Sequence, residues 1–351
     1  MPGNHEHSNI MRNPESRVTS GDVYRSAAIA TLNGRPLLAN TGIPLDLNWI
    51  QEVRVNTSAV ERRAQSQVAR RTVKKEWQAA WLLRAISCMD LTTLSGDDTD
   101  ERVRRLCAKA RQPVQKELVE KLHIEELGIK VAAVCVYHTF VETALQALEG
   151  SGIHVAAVST GFPAGLSPLA ERVAEIRRSM EAGAHEIDVV ITRAHVFGSR
   201  WQALYDEIAA FKQACGPAHM KVILGTGDLL TLRNVARASV VAMMAGADFI
   251  KTSTGKEATN ATIPVSLVMV RAIREYAQQT GTAVGFKPAG GIRTAKQSLD
   301  WLSMMKEELG DSWLRAEMFR FGASGLLGDI ERQLEYFATG RYSADYRHPI
   351  A

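Results

Sequence analysis

Residues 246–256 read GADFIKTSTGK, and residues 285–293, one helical pattern further on, read GFKPAGGIR. Each is a short β-rich run that reaches a lysine and passes into a glycine-containing loop. Side chains alternate along a strand, so Phe249 and Lys251 share one face, and Gly285 and Lys287 share one face. Two successive strands therefore present a lysine of the same parity at their C-terminal ends. In parallel strands joined by helices, that end is where a site is built.

The same beat runs outward in both directions. Strands are expected at 85–90, 131–137, 153–159, 186–191, 220–225, 248–252, 283–287 and 318–322, and amphipathic helical patterns at 141–148, 169–182, 201–214, 229–245, 264–279, 295–309 and 326–337. Strands alternating with helices imply parallel βα units. Eight such units over about 250 residues match an α/β fold of the (β/α)₈ TIM-barrel kind. An open doubly wound sheet competes, but no G-x-G-x-x-G follows any of these strands. In front of the barrel, residues 46–84 read as a helical extension, with Trp77, Trp81 and Leu82 on one stripe. Residues 1–45 are polar and weakly patterned and are expected to form a disordered tail. Residues 85–338 form the barrel domain, and 339–351 a C-terminal tail.

The 351 residues are 46% hydrophobic and 23% charged, ordinary for a globular protein with a real core. No apolar run approaches the roughly 18–20 residues that span a bilayer, and the N-terminus has no signal-peptide stretch. Cys88, Cys107, Cys135 and Cys215 form no C-x-x-C pair. Scattered thiols point to a reducing compartment, so a cytoplasmic location is expected. Net charge is only +4, and the surplus gathers at Arg62, Arg63, Arg70, Arg71, Lys74 and Lys75. Without zinc-finger spacing or aromatic interleaving, this run reads as a solvated helix face, and neither a nucleic-acid nor a membrane partner is expected.

The strand ends supply chemistry. A lysine facing inward after an apolar run loses hydration, which lowers its basicity and makes it a nucleophile toward carbonyls. A second lysine beside it repels its charge and acts in the same direction. In EIDVVI (186–191), Glu186, Asp188 and Val190 share the inward face. Asp188 is thus placed to pair with the lysines or to move protons. After strands seven and eight come Gly290-Gly291-Ile292-Arg293 and Gly322-Ala323-Ser324-Gly325, loops whose amides can close on a phosphate. TSTGK itself is no nucleotide P-loop, because Ile250 stands where the first glycine is needed. Asp90 ends strand one and suits either a site role or a loop cap. Cys135 on strand two reads more readily as core than as a reactive thiol. The histidines show no metal-ligand spacing, so no metal is expected.

MDLTTL (89–94), CVYH (135–138), GFPAG (161–165), EIDVVI, GADFIKTSTGK, GFKPAGGIRT and RFGASG (320–325), in this order, resemble the motif set of the deoxyribose-phosphate aldolases. The resemblance covers the whole expected barrel, and RRTVKKEWQAAWLL (70–83) with DIERQLEYFATGRY (329–342) is similar to the longer, eukaryote-type branch. It implies a class I lyase with no metal or organic cofactor, acting on a small phosphorylated sugar, 2-deoxyribose 5-phosphate. Lys251 would form the Schiff base, Lys287 would tune it, and Asp188 would join a proton relay through water. Thr254, Gly255, Lys256, Gly290, Gly291, Arg293, Gly322 and Ser324 would surround the sugar hydroxyls and phosphate, with Asp90 and Cys135 near the substrate. The family often forms homo-oligomers and can use a C-terminal tyrosine, for which Tyr342 and Tyr346 are the candidates. Two positions depart from the pattern: His138 stands where proline is common, and Gly325 where a hydroxyl residue usually follows the serine. A different barrel aldolase of transaldolase type, or a non-catalytic barrel binding through its basic extension, are the competing readings.

Overall fold

The computed structural model describes residues 27–70 and 73–350, so the first 26 residues of the tail expected over 1–45, and Arg71 of the basic run, lie outside the described residues. From residue 30 the expectation of a disordered tail fails. Strands β1 (Ala30–Leu32) and β2 (Arg35–Ala39) pair antiparallel across Asn33-Gly34. Both turn residues have positive φ, 51° and 77°, the backbone that an Asn-Gly hairpin turn requires. Ala30, Leu32 and Leu37 are buried, so even this short hairpin has an apolar face to hide. It does so against Ile263–Thr280 and Asp311–Trp313, while β2 extends the pairing by running parallel to Thr282–Ala283.

Three helices follow: α1 (Leu47–Glu52), α2 (Thr57–Arg70) and α3 (Lys75–Ser87). Of the expected stripe on α3, Leu82 is buried and Trp81 half-buried, but Trp77 is 73% exposed. In the basic run, Arg63 pairs with Glu307 while Arg62, Lys74 and Lys75 are solvated. The strand expected at 85–90 begins later, because α3 continues through Ser87. An apolar run such as Ala85-Ile86 suits either element, and burial against the barrel decides for helix.

The barrel strands are β3 (Met89–Thr92), β4 (Ala133–Tyr137), β5 (His154–Ser159), β6 (Glu186–Val190), β7 (His219–Ile223), β8 (Phe249–Lys251), then β9 (Thr282–Ala283) outside it, β10 (Gly285–Lys287) and β11 (Phe321–Gly322). Eight of them form one parallel sheet in the order β10-β8-β7-β6-β5-β4-β3-β11. Bridges Phe286–Phe319 and Ala289–Gly322 close β10 onto β11, completing a (β/α)₈ barrel. Around it lie α4 (Asp100–Arg111), α5 (Lys116–Leu122), α6 (Val141–Leu148), α7 (Leu169–Glu181), α8 (Arg193–Phe197), α9 (Trp201–Cys215), α10 (Leu232–Met244), α11 (Ile263–Thr280), α12 (Ala295–Leu309) and α13 (Gly325–Thr339). Four helices start on a threonine whose hydroxyl accepts a first-turn amide, Thr99, Thr231, Thr262 and Thr294. Such caps fix where each loop at the site face hands over to helix. The extension packs on the outer ring, α2 against α11 and α12, and α3 against α12 and α13. Among the described residues no helix is long and apolar enough to cross a membrane.

Inside the barrel, Phe249 fills the floor beneath the lysines. A Cβ on Gly285 would stand 2.4 Å from the Phe249 ring, so glycine is there for want of space. Gly285→Ala should cost about 1–3 kcal/mol by overpacking a rigid interior. Urea unfolding measures it, and an unchanged midpoint would show that the ring can yield.

Candidate functional site at the C-terminal ends of the strands

Lys251 and Lys287 are register partners at the ends of β8 and β10. Asp188 on β6 is the register partner of Lys221 on β7. All four side chains are buried, and Asp188 is the hub that joins them. Its Oδ2 accepts from Lys251 Nζ and from Lys287 Nζ, each at 2.8 Å, and its Oδ1 accepts from Lys221 Nζ at 2.8 Å. Lys287 Nζ also donates to Asp90 Oδ2 at 2.5 Å. Arg320 donates to Asp90 Oδ1 at 2.7 Å and to both Glu186 oxygens at 2.7 and 3.1 Å. Lys221 closes the ring, 2.5 Å from Glu186 Oε2. No side chain in this network is more than 4% exposed.

Four cationic side chains, Lys221, Lys251, Lys287 and Arg320, thus face three carboxylates, Asp90, Glu186 and Asp188. An unmatched charge in such a place is costly. The lysines differ in how well they are matched. Burial presses all three toward the neutral amine. For Lys287 the opposing pull of Asp188 and Asp90 wins, and its basicity is raised. For Lys221 the pull of Asp188 and Glu186 wins likewise. For Lys251 burial, joined by the repulsion of Lys287, outweighs its one carboxylate contact, Asp188, and its pKa is lowered. The site balances when Lys251 gives up its proton, which leaves an amine ready to attack a carbonyl.

The carboxylates behave in the opposite sense. Burial would raise them, but cations outweigh it: Lys221, Lys251 and Lys287 hold Asp188 well below its ordinary value. Arg320 and Lys221 do the same for Glu186, and Lys287 and Arg320 lower Asp90. A carboxylate with a depressed folded pKa stabilises the fold above its unfolded value and loses that contribution as pH falls through the folded one. Stability should therefore drop below about pH 4.5, with unfolding taking up as many as about three protons from this network. Urea unfolding between about pH 7 and about pH 3 reads this slope, and a flat profile would contradict the pairing.

Of the residues singled out in the sequence, Lys251, Lys287, Asp188 and Asp90 come together, and Asp90 is an interior ion-pair partner with no role as a loop cap. Cys135 is buried in a small apolar cluster with Leu94, Ala156 and Val158, flanked by Tyr137 and Phe162. Burial, with Asp188 nearby, raises its thiol, so it stays protonated. The loop after β8 is folded by its own contacts: both Glu257 carboxylate oxygens accept from Thr254 N at 3.1 Å, and Thr254 Oγ1 accepts from Lys256 N. Gly255, Lys256, Gly291 and Arg293 are exposed beyond the strand ends. Gly290 lies against Asn260, where a Cβ would stand 2.7 Å from the amide carbon, and Gly322 lies against Ala289 and Lys287. Ser324 is engaged elsewhere than expected. Its hydroxyl donates to Thr92 O at 2.8 Å and accepts from Thr92 N at 2.7 Å, tying the loop to β3. An anion here would meet backbone amides at the start of α13, which no side chain caps, and Gly325 leaves that approach open. His138 lies exposed in a short turn after β4, and Tyr342 and Tyr346 are exposed. Among the described residues no His, Cys, Asp or Glu group is arranged to hold a metal.

Three members of the network, Lys221, Glu186 and Arg320, were not among the residues assigned a site role from sequence. Lys221 carries the same signal as the other lysines, a lysine of inward parity in an apolar strand. Arg320 and Glu186 sit deeper, and only the closed barrel brings them together.

A closed (β/α)₈ barrel that buries a weakened amine among carboxylates at the C-terminal ends of its strands belongs to the class of barrels equipped for carbonyl chemistry through an amine. The chain belongs to the DeoC/LacD family of aldolases, whose model matches residues 84–328. It is 58% identical to the deoxyribose-phosphate aldolase of Homo sapiens over 89% of this chain and 99% of that one. It is 59% identical to the enzyme of the same name from Mus musculus, over 88% and 98%. Among solved structures, the deoxyribose phosphate aldolase of Aeropyrum pernix, described as a unique tetramer, superposes with a TM-score of 0.52 at 24% identity, over 80% of this chain and 99% of that one, a likeness of fold.

Proposed function

We propose that this protein is a deoxyribose-phosphate aldolase that cleaves 2-deoxyribose 5-phosphate reversibly to glyceraldehyde 3-phosphate and acetaldehyde. The observation that carries the chemistry is the single under-matched amine, Lys251, in a network where every other cation has at least two carboxylate contacts. Lys251 adds to the C1 aldehyde of the open-chain sugar, and loss of water gives the imine. Lys287, held protonated by Asp90 and Asp188, keeps a positive charge beside it. Asp188, acting through water, takes the proton of the C3 hydroxyl as the C2–C3 bond breaks. The electron pair moves into the imine, glyceraldehyde 3-phosphate departs, and the enamine is protonated and hydrolysed to acetaldehyde. The phosphate is placed at the α13 start and the Gly290-Gly291 loop, with Lys256 and Arg293 free to reach it, so that remote binding energy orients the reacting end.

Incubation with 2-deoxyribose 5-phosphate, borohydride reduction and peptide mass analysis test this reading. The expected adduct is on Lys251. An adduct on Lys287 would exchange the two lysine roles, and a folded protein with no adduct would remove the proposal. The four buried, unpaired cysteines fit a reducing compartment, which supports placing the enzyme in the cytoplasm. The tetramer described for the Aeropyrum pernix relative supports a homo-oligomer as well, and a monomeric mass by sedimentation would refute that.

A further inference from the structure

Arg320 and Glu186 touch none of the groups assigned to bond making, yet they belong to the same ion-pair chain. It runs from Glu186 to Arg320 at 2.7 Å, from Arg320 to Asp90 at 2.7 Å, from Asp90 to Lys287 at 2.5 Å, and through Asp188 to Lys251 in two steps of 2.8 Å. Arg320 also stands 5.8 Å from the centroid of the Phe249 ring, on the strand that carries Lys251. The interior holds one more cation than it has carboxylates, and a guanidinium cannot give up its proton at any ordinary pH. The deficit must fall on a lysine.

We propose that Arg320 and Glu186 are positioning residues that fix the protonation state of Lys251 by setting the number of charges sealed in the barrel. This rests on the Schiff-base reading above and adds to it the reason why Lys251 is poised. Removing the Arg320 charge leaves three cations facing three carboxylates, and Lys251 can then keep its proton. Removing the Glu186 charge leaves four cations facing two carboxylates, and Lys251 is driven further toward the free amine. The other ionisable groups facing the chain are Lys221 on β7, Cys135 on β4, Cys88 before β3, which feels Arg320, His154, whose Nδ1 lies 2.7 Å from Glu186 Oε1, His185, which stacks on His154 and feels Glu186, and His219, which feels Glu186 and Lys221. None of them is altered by the substitutions below.

The readout is the pH dependence of reductive trapping of acetaldehyde on Lys251 with cyanoborohydride, followed by peptide mass from about pH 6 to about pH 10, a span below the ordinary lysine value. Imine formation needs the free amine, so the midpoint reports Lys251 directly. Arg320→Met should move the midpoint up by about one pH unit, and Glu186→Gln should move it down by about one unit, the scale of one charge acting through a protein interior. Arg320→Lys keeps the charge and should hold the parent midpoint. The double variant Arg320→Met/Glu186→Gln removes a contacting pair, keeps the count, and should also return to the parent midpoint. Opposite shifts that cancel are the signature, since structural damage alone would not change sign. Singles that shift the same way or not at all, or a double that does not restore the midpoint, would overturn the proposal. Should Arg320→Met not fold, Glu186→Gln and the double variant carry the same requirement. A parent protein that is not labelled on Lys251 would instead refute the Schiff-base reading, so the two failures are distinct.

Discussion

Lys251→Leu is expected to lower turnover of 2-deoxyribose 5-phosphate by at least about four orders of magnitude, the scale seen when a covalent nucleophile is removed. The same substitution should leave the urea midpoint unchanged or slightly raised. Lys251 is the lysine already pushed toward its neutral form, with Asp188 as its only carboxylate contact. Exchanging a buried, under-matched amine for an apolar side chain of similar length takes away a desolvated polar group. Asp188 keeps Lys221 and Lys287 as partners, so no buried charge is stranded. Activity and stability should thus part company: turnover lost, borohydride adduct lost, midpoint kept. A Lys251→Leu protein that keeps most of its activity would refute the assignment, and one that is folded but much less stable would show that Lys251 is protonated at rest.

Asp188→Leu should do damage of a different kind. Asp188 is the acceptor for three lysine Nζ groups, two of them ammonium, and its removal leaves Lys287 with Asp90 alone and Lys221 with Glu186 as its remaining close partner. Breaking a buried pair from one side costs about 3–5 kcal/mol, because the stranded charges stay desolvated. Activity should fall as well, since the proton acceptor and the hydrogen bond that aims Lys251 disappear together. Asp188→Asn keeps the shape but not the charge, and should show the same loss of activity with a smaller loss of stability. The comparison of interest is between the two leucine variants. If Lys251→Leu and Asp188→Leu have equal urea midpoints, the carboxylate is not the hub that the distances make it.

Much of this was legible in the sequence, and the reason is periodicity. Once strands were placed at 248–252 and 283–287, alternation alone put Phe249 and Lys251 on one face and Gly285 and Lys287 on one face, and it put Asp188 inside β6. The structure has the same arrangement, with Lys251 and Lys287 in register and Gly285 against the Phe249 ring. Local physics sufficed there, because which way a side chain points depends on its own strand. The hairpin at 30–39 was missed although Asn33-Gly34 between short apolar stretches is a turn signal. Its strands have only three and five residues, too few for an alternating pattern to stand out. The role of Ser324 was not legible either, because its partner, Thr92, is 232 residues away. Least legible of all was the charge balance. A sequence shows which lysines face inward. Which of them keeps its proton depends on a sum over seven charged side chains, from five strands and one loop, brought together only when the sheet closes.

The hairpin of β1 and β2 bears on how the chain is made. It precedes the whole barrel, yet the strand it pairs with, Thr282–Ala283, comes some 240 residues later, and β3 finds its closing neighbour only at Phe321–Gly322. Contacts of such sequence separation form slowly, since a long loop must be ordered before it is rewarded. During synthesis the hairpin leaves the ribosome before any barrel strand and stays without its sheet neighbour until most of the barrel exists, an open edge of the kind that invites wrong pairing. Chains interrupted before residue 282 would carry that edge permanently, so partial products should be the aggregation-prone species, and the docking of residues 30–39 should be among the last events of folding.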